Sequence, residues 1–106
     1  MKSMGNMNQM LKMAQKMQQD LARTQEEIGE KIVEASAGGG AVTATVNGRK
    51  DLLGLKINPE VVSPDDVEML EDMIVAAINQ AMRQAEEMMA EAMAKITGGI
   101  KLPGMN

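Results

Sequence analysis

The sequence contains no cysteine, no histidine and no aromatic residue, and these absences exclude more than any motif in it asserts. Without cysteine there is no disulfide framework, no thiol nucleophile and no thiolate for a soft metal. Without histidine no imidazole stands ready to activate Ser3, Ser36 or Ser63, so acyl transfer lacks its apparatus. Without aromatic rings there is nothing on which an unpaired base could stack. Long apolar runs are lacking too: none approaches the roughly 20 residues that a membrane span requires, and no charged-then-apolar leader opens the chain. The expectation is a cytoplasmic binding protein, not an enzyme, with no membrane, metal or cofactor.

What is present is 106 residues, room for one domain over 1–106, with 1–5 and 100–106 expected as loose tails. A chain of this size buries only a modest core alone, so self-association is expected. Hydrophobic residues make up 44% and include 13 Met, so the interior is filled by flexible, unbranched side chains of the kind that helix packing accommodates.

From Met7 to Ile28, apolar or small residues fall at Met7, Met10, Ala14, Met17, Leu21, Thr24 and Ile28. This alternation of three and four keeps one stripe on a helix of roughly 36 Å, longer than so small a domain can cover. Part of it should project or pair with a second copy. Lys31–Ser36 then turns β-branched, Gly38, Gly39 and Gly40 mark a reversal, and Val42, Ala44 and Val46 alternate with Thr43 and Thr45. Asn47-Gly48 predicts a tight turn before Leu53, Leu55 and Ile57 resume the period of two. Three antiparallel strands in a meander result.

Ser63 as N-cap, Pro64 at the first helical position and the carboxylates of Asp65 and Asp66 predict the start of a second long helix. Its apolar positions run from Val67 to Ile96, roughly 50 Å, with Gly98-Gly99 as the stop. The fold class is therefore α+β: a long N-terminal helix, a three-stranded antiparallel sheet and a long C-terminal helix. One copy cannot cover both helices and the sheet, so a symmetric dimer is expected.

Several features invite sharper readings. The triple glycine could cradle phosphate, but a strand follows it and no Lys-Ser/Thr pair does, so it reads as a hairpin turn. Asp65, Asp66 and Glu68 could hold a hard cation, yet carboxylates at a helix start are explained by the helix dipole, and no calcium-loop spacing is present. The methionine stripe reads as core or dimer seam, with a binding groove or membrane-surface face as the other roles.

Net charge is −4, which by itself opposes nucleic-acid binding. The charges are nevertheless polarised. Residues 1–25 carry Lys2, Lys12, Lys16 and Arg23 against Asp20 alone, whereas residues 59–91 carry nine carboxylates against Arg83. Lys12, Lys16 and Arg23 share one side of the first helix, away from its apolar stripe, where a solvated face explains them equally well.

The segments MNQMLKMAQKMQQDL, SAGGGAVTATVNG, EMLEDMIVAAINQAMRQAEE and ITGGIKLPG, in this order and spanning nearly the whole chain, resemble the YbaB/EbfC family of bacterial nucleoid-associated proteins. The resemblance implies an intertwined homodimer whose helices project from a central sheet like tweezer arms and which binds double-stranded DNA with little sequence preference, with effects on nucleoid organisation and gene expression. The family has no sharp signature for contact residues. Charge and placement nominate Lys12, Lys16 and Arg23 as phosphate contacts, followed by Lys2, Lys95 and Lys101 near helix ends. Asn6, Asn8, Gln15 and Gln19 could reach base edges but are indistinguishable from solvated polar residues. The alternative is a dimeric adaptor whose Met-lined arms hold a protein partner in recombination or replication, without direct DNA contact.

Overall fold

The computed structural model describes residues 2–98. Helix α1 spans Lys2–Gly29, strands β1, β2 and β3 span Ile32–Ala37, Val42–Asn47 and Leu52–Ile57, and helix α2 spans Val67–Thr97, after short 3-10 turns at Pro59–Val61 and Pro64–Asp66. The α+β order read from the sequence is the observed one. Helix α1 begins five residues before the expected Met7, within the segment expected as a tail. Residues 99–106 lie outside the described residues.

The sheet is antiparallel in the order β1-β2-β3. Its register aligns Ala35, Ala44 and Leu55 across the three strands, and Ala37, Val42 and Ile57 beside them. Directly paired residues project from the same face, so one face carries Val33, Ala35, Ala37, Val42, Ala44 and Val46. The other face is polar, with the Ser36 and Thr43 hydroxyls 2.9 Å apart.

Helix α2 lies across the apolar face of β1 and β2. Ala77, Ala81 and Ala85 recur every four residues and are fully buried, and so are Val42, Ala44 and Val46 beneath them. Small residues at this spacing let the helix backbone approach the sheet closely, while Leu70, Met73, Ile74, Ile78 and Met82 seal the flanks. Helix α2 does not extend over β3, and Leu52 and Leu55 remain 46% and 40% exposed.

Both hairpins depend on left-handed backbone. Gly38, Gly39 and Gly40 all have positive φ (65°, 68° and 94°), confirming the turn expected there. The second hairpin is wider than the Asn47-Gly48 dipeptide predicts. The Asn47 side-chain oxygen accepts from the backbone N–H groups of Arg49 and Asp51, its amide donates to Asp51, and Lys50 takes φ 68°. These bonds stabilise a four-residue loop, and a bulge between Thr45 and Val46 resets the register behind it.

Ser63 caps as expected, its hydroxyl accepting from the Asp65 N–H at 3.3 Å, but the turn it starts is 3-10 and the α-helix begins only at Val67. At the other end, Gly98 keeps right-handed φ −63°, where the glycine pair predicted a reversal. The last described turn therefore continues along the helix axis.

The molecule measures 78 × 26 × 15 Å with a radius of gyration of 20.8 Å, against about 13 Å for a compact chain of this length. The elongation comes from the helix pairing. Residues 13–20 of α1 share a groove with Ile96, while Ala22, Gln25 and Glu26 share one with Met89, so the two helices run antiparallel. The sheet with the first half of α2 forms one end and the helix pair the middle. The first half of α1 stands beyond it, without cover among the described residues.

Candidate nucleic-acid interface

The arm is built from a stripe that is covered along only half its length. Met17, Leu21, Thr24 and Ile28 are partly buried along the pair with α2, whereas Met7, Met10 and Ala14 of the same stripe are exposed, Met7 by 61% and Met10 by 68%. Leu11 and Met13 beside them are also open. The sequence reading of this stripe as core or seam therefore holds for its second half within one chain and not for its first.

Lys12, Lys16 and Arg23 all project into solvent from α1. At 100° per residue they occupy an arc of about 40°, with Lys12 and Arg23 separated by about 16 Å along the axis. Their electrostatic settings differ. Arg23 donates to Asp20 at 2.8 Å, which neutralises part of its charge. The other ion pair among the described residues joins Lys50 to Glu86, so Lys12 and Lys16 enter neither. Lys16 sits at the edge of a shallow groove with Met13, Met17, Asp20 and Ile96, next to the α2 end.

Lys2 lies in the first turn of α1 and Lys95 is exposed in the last turn of α2, where a cation favours the helix dipole. Lys101 lies outside the described residues. The antiparallel pairing brings the Lys95 end of α2 alongside Lys16, an association with no counterpart in sequence spacing.

Two cations that the sequence reading passed over lie at the root of the arm. Arg49 and Lys50, in the β2–β3 loop, line an open groove of about 520 Å³ with Ala22, Gln25, Glu26, Gly48 and Met89. Both are exposed, and the Arg49 side chain lies against Gly29 at the carboxyl end of α1. A guanidinium there complements the helix dipole. Lys50 reaches across to α2 and holds the Glu86 carboxyl below its ordinary value by hydrogen bonding and charge. Their one sequence signal was a pair of cations following a turn dipeptide.

A flat surface bearing spaced cations, with no described cluster of His, Cys, Asp or Glu fit to hold a metal, belongs to the class of binding proteins that grip an extended partner. The relatives make this specific. The profile of the YbaB/EbfC DNA-binding family matches residues 4–100. Nucleoid-associated proteins of Thermoanaerobacter pseudethanolicus and Acetivibrio thermocellus are 58% and 59% identical, covering 94% and 95% of this chain and 90% of each relative. One of Moorella thermoacetica is 60% identical over 95% of this chain and 97% of its own length. The crystal structure of an uncharacterized protein from Helicobacter pylori superposes with a TM-score of 0.73 at 22% identity, covering 86% of this chain and 96% of that one, and so shares the fold. The chain belongs to the YbaB/EbfC DNA-binding family. No described helix is long and apolar enough to cross a membrane.

Proposed function

We propose that this protein acts in the bacterial nucleoid as a homodimer that binds double-stranded DNA chiefly through phosphates, with little sequence preference. The observation that carries this reading is the arm: half of α1 stands clear of the body and presents Lys12 and Lys16 outside the described ion pairs. Arg23 follows on the same face, with Lys95, Lys2 and Lys101 as further contacts near the helix ends. Two copies double this set, and a two-fold axis would set the arms across a duplex. The carboxylates of α2, among them Glu68, Glu71, Glu87 and Glu91, are exposed and repel phosphate, which confines binding to the arm face and makes it sensitive to salt.

The dimer seam that fits best is the uncovered part of the sheet. Leu52, Leu55 and Ile57 pair with Val46, Ala44 and Val42 and so share the face covered by α2, yet they lie beyond its reach. Full burial would contribute roughly 1.5–3 kcal/mol for each leucine. Val62, Val67, Met69 and Val75 are exposed along the segment that follows β3 and would extend that seam.

Fluorescence anisotropy of a labelled duplex, titrated at several salt concentrations with an unrelated duplex as competitor, tests the reading. It requires saturable binding, equal competition by any duplex, and a loss of about 0.9 log units of affinity per phosphate contact per log unit of salt. Lys12→Glu with Lys16→Glu should abolish binding. The exposed Met7, Met10, Leu11 and Met13 favour a second reading, a dimeric adaptor for a recombination or replication protein. Absence of duplex binding at low salt would leave that reading in place of the first.

A further inference from the structure

The α1 stripe loses its cover where α2 runs out. Ile96 shares a groove with Met13 and Met17, and two residues later the chain reaches Gly98 at the level of Ala14. Because α2 is antiparallel to α1 and Gly98 keeps a right-handed conformation, the chain leaves along the helix axis, toward Met10 and Met7. Those residues, with Leu11, form an almost wholly apolar surface.

We propose that residues 99–106 of the same chain continue the antiparallel pairing and dock along this surface as an extended strand of chain. Ile100 and Leu102 flank Lys101, so an extended backbone turns both apolar side chains to one side and the lysine to the other. Pro103 opposes continuation of the helix. The lengths agree. Four residues from Gly98 to Leu102 reach about 13 Å when extended, and the seven residues from Ala14 back to Met7 cover about 10 Å of helix. Ile100 thus falls beside Met10 and Leu102 beside Met7. Methionine side chains adapt to an irregular partner more readily than branched ones, which suits a surface that must receive an extended chain. Lys12 lies roughly half a turn from Met10 and stays open, so the inference stands independently of DNA binding.

The chain has no cysteine, so an introduced pair reports without interference. Met10→Cys combined with Ile100→Cys, oxidised mildly in the full-length protein, should give an intrachain disulfide, seen as faster migration without reductant and a mass loss of about 2 Da. Lys12→Cys with Ile100→Cys, on the far side of α1, should yield little. No disulfide above that control, or only a covalent dimer, overturns the proposal. A second readout needs no crosslink: dilute hydrogen peroxide should oxidise Met7 and Met10 about threefold faster in the Ile100→Asp, Leu102→Asp variant than in the unaltered protein, as read by peptide mass. Equal rates in the two proteins overturn it as well.

Discussion

The backbone carbonyl of Ile28, at the end of α1, lies directly against Gly48 in the β2–β3 loop, and a Cβ at position 48 would overlap it. Gly48 has no positive φ, so this glycine is required for space and not for conformation. The contact fixes where α1 leaves the sheet and therefore where its arm points.

Gly48→Ala must displace α1 from the loop or strain the hairpin. A loss of about 1–3 kcal/mol is expected, as in overpacked cores. Urea unfolding followed by circular dichroism reads it directly; an unchanged midpoint would show that the contact yields without cost.

Gly39 makes the opposite case. It has φ 68° and nothing within 4 Å of an added Cβ, so only its backbone conformation resists substitution. Asn visits this region readily and a β-branched residue does not. Gly39→Asn should leave the melting temperature nearly unchanged, whereas Gly39→Val should cost about 1–2 kcal/mol. Equal melting curves for the two variants would contradict the argument.

These glycines show which parts of the molecule were legible from sequence. Val42, Ala44 and Val46 alternate, and Met17, Leu21, Thr24 and Ile28 follow a helical stripe; each pattern has one geometric meaning and was read correctly. The uncovered half of the stripe was not legible, because Met7 and Met10 obey the same period as Met17. What separates them is where α2 stops, a tertiary fact. Arg49 eluded the reading for a similar reason: a loop cation has no period, and its place against Gly29 depends on a four-residue turn assembled by the Asn47 side chain.

The alanine ridge of α2 sets a third expectation. Ala81 is fully buried between Ala77 and Ala85 and packs in the cluster containing Val42, Ala44 and Val46. Ala81→Leu forces the helix off the sheet and should destabilise by about 1–3 kcal/mol. Ala90→Leu, at an exposed position of the same helix, controls for helix propensity and should change stability by less than about 0.5 kcal/mol.

The Lys50–Glu86 pair carries a pH signature. Lys50 lowers the Glu86 carboxyl below its ordinary 4.5, so the folded state favours the ionised form. The stabilising contribution is fully present above pH 4.5 and is lost as pH falls through the lower folded value. Both side chains are exposed, so salt screens the effect. Glu86→Gln should therefore unfold slightly below the unaltered protein at neutral pH and low salt, with the gap closing below pH 4.5. A gap that persists at acid pH would assign the difference to packing instead.

Asp20 offers the sharpest test of the arm's electrostatics, because it is the carboxylate paired with Arg23 on the proposed binding face. Asp20→Asn keeps the side-chain shape, removes one repulsive charge and releases Arg23. A unit charge about 8 Å from a phosphate in water is worth about 0.5 kcal/mol, or a little over twofold in affinity, and a dimer doubles that energy. Duplex affinity at low salt should rise about two- to fivefold, and the salt dependence should steepen as Arg23 gains a phosphate contact. A rise in affinity with no change in slope would place Arg23 outside the contact set and leave binding to Lys12 and Lys16; no rise at all would place Asp20 and Arg23 away from the duplex.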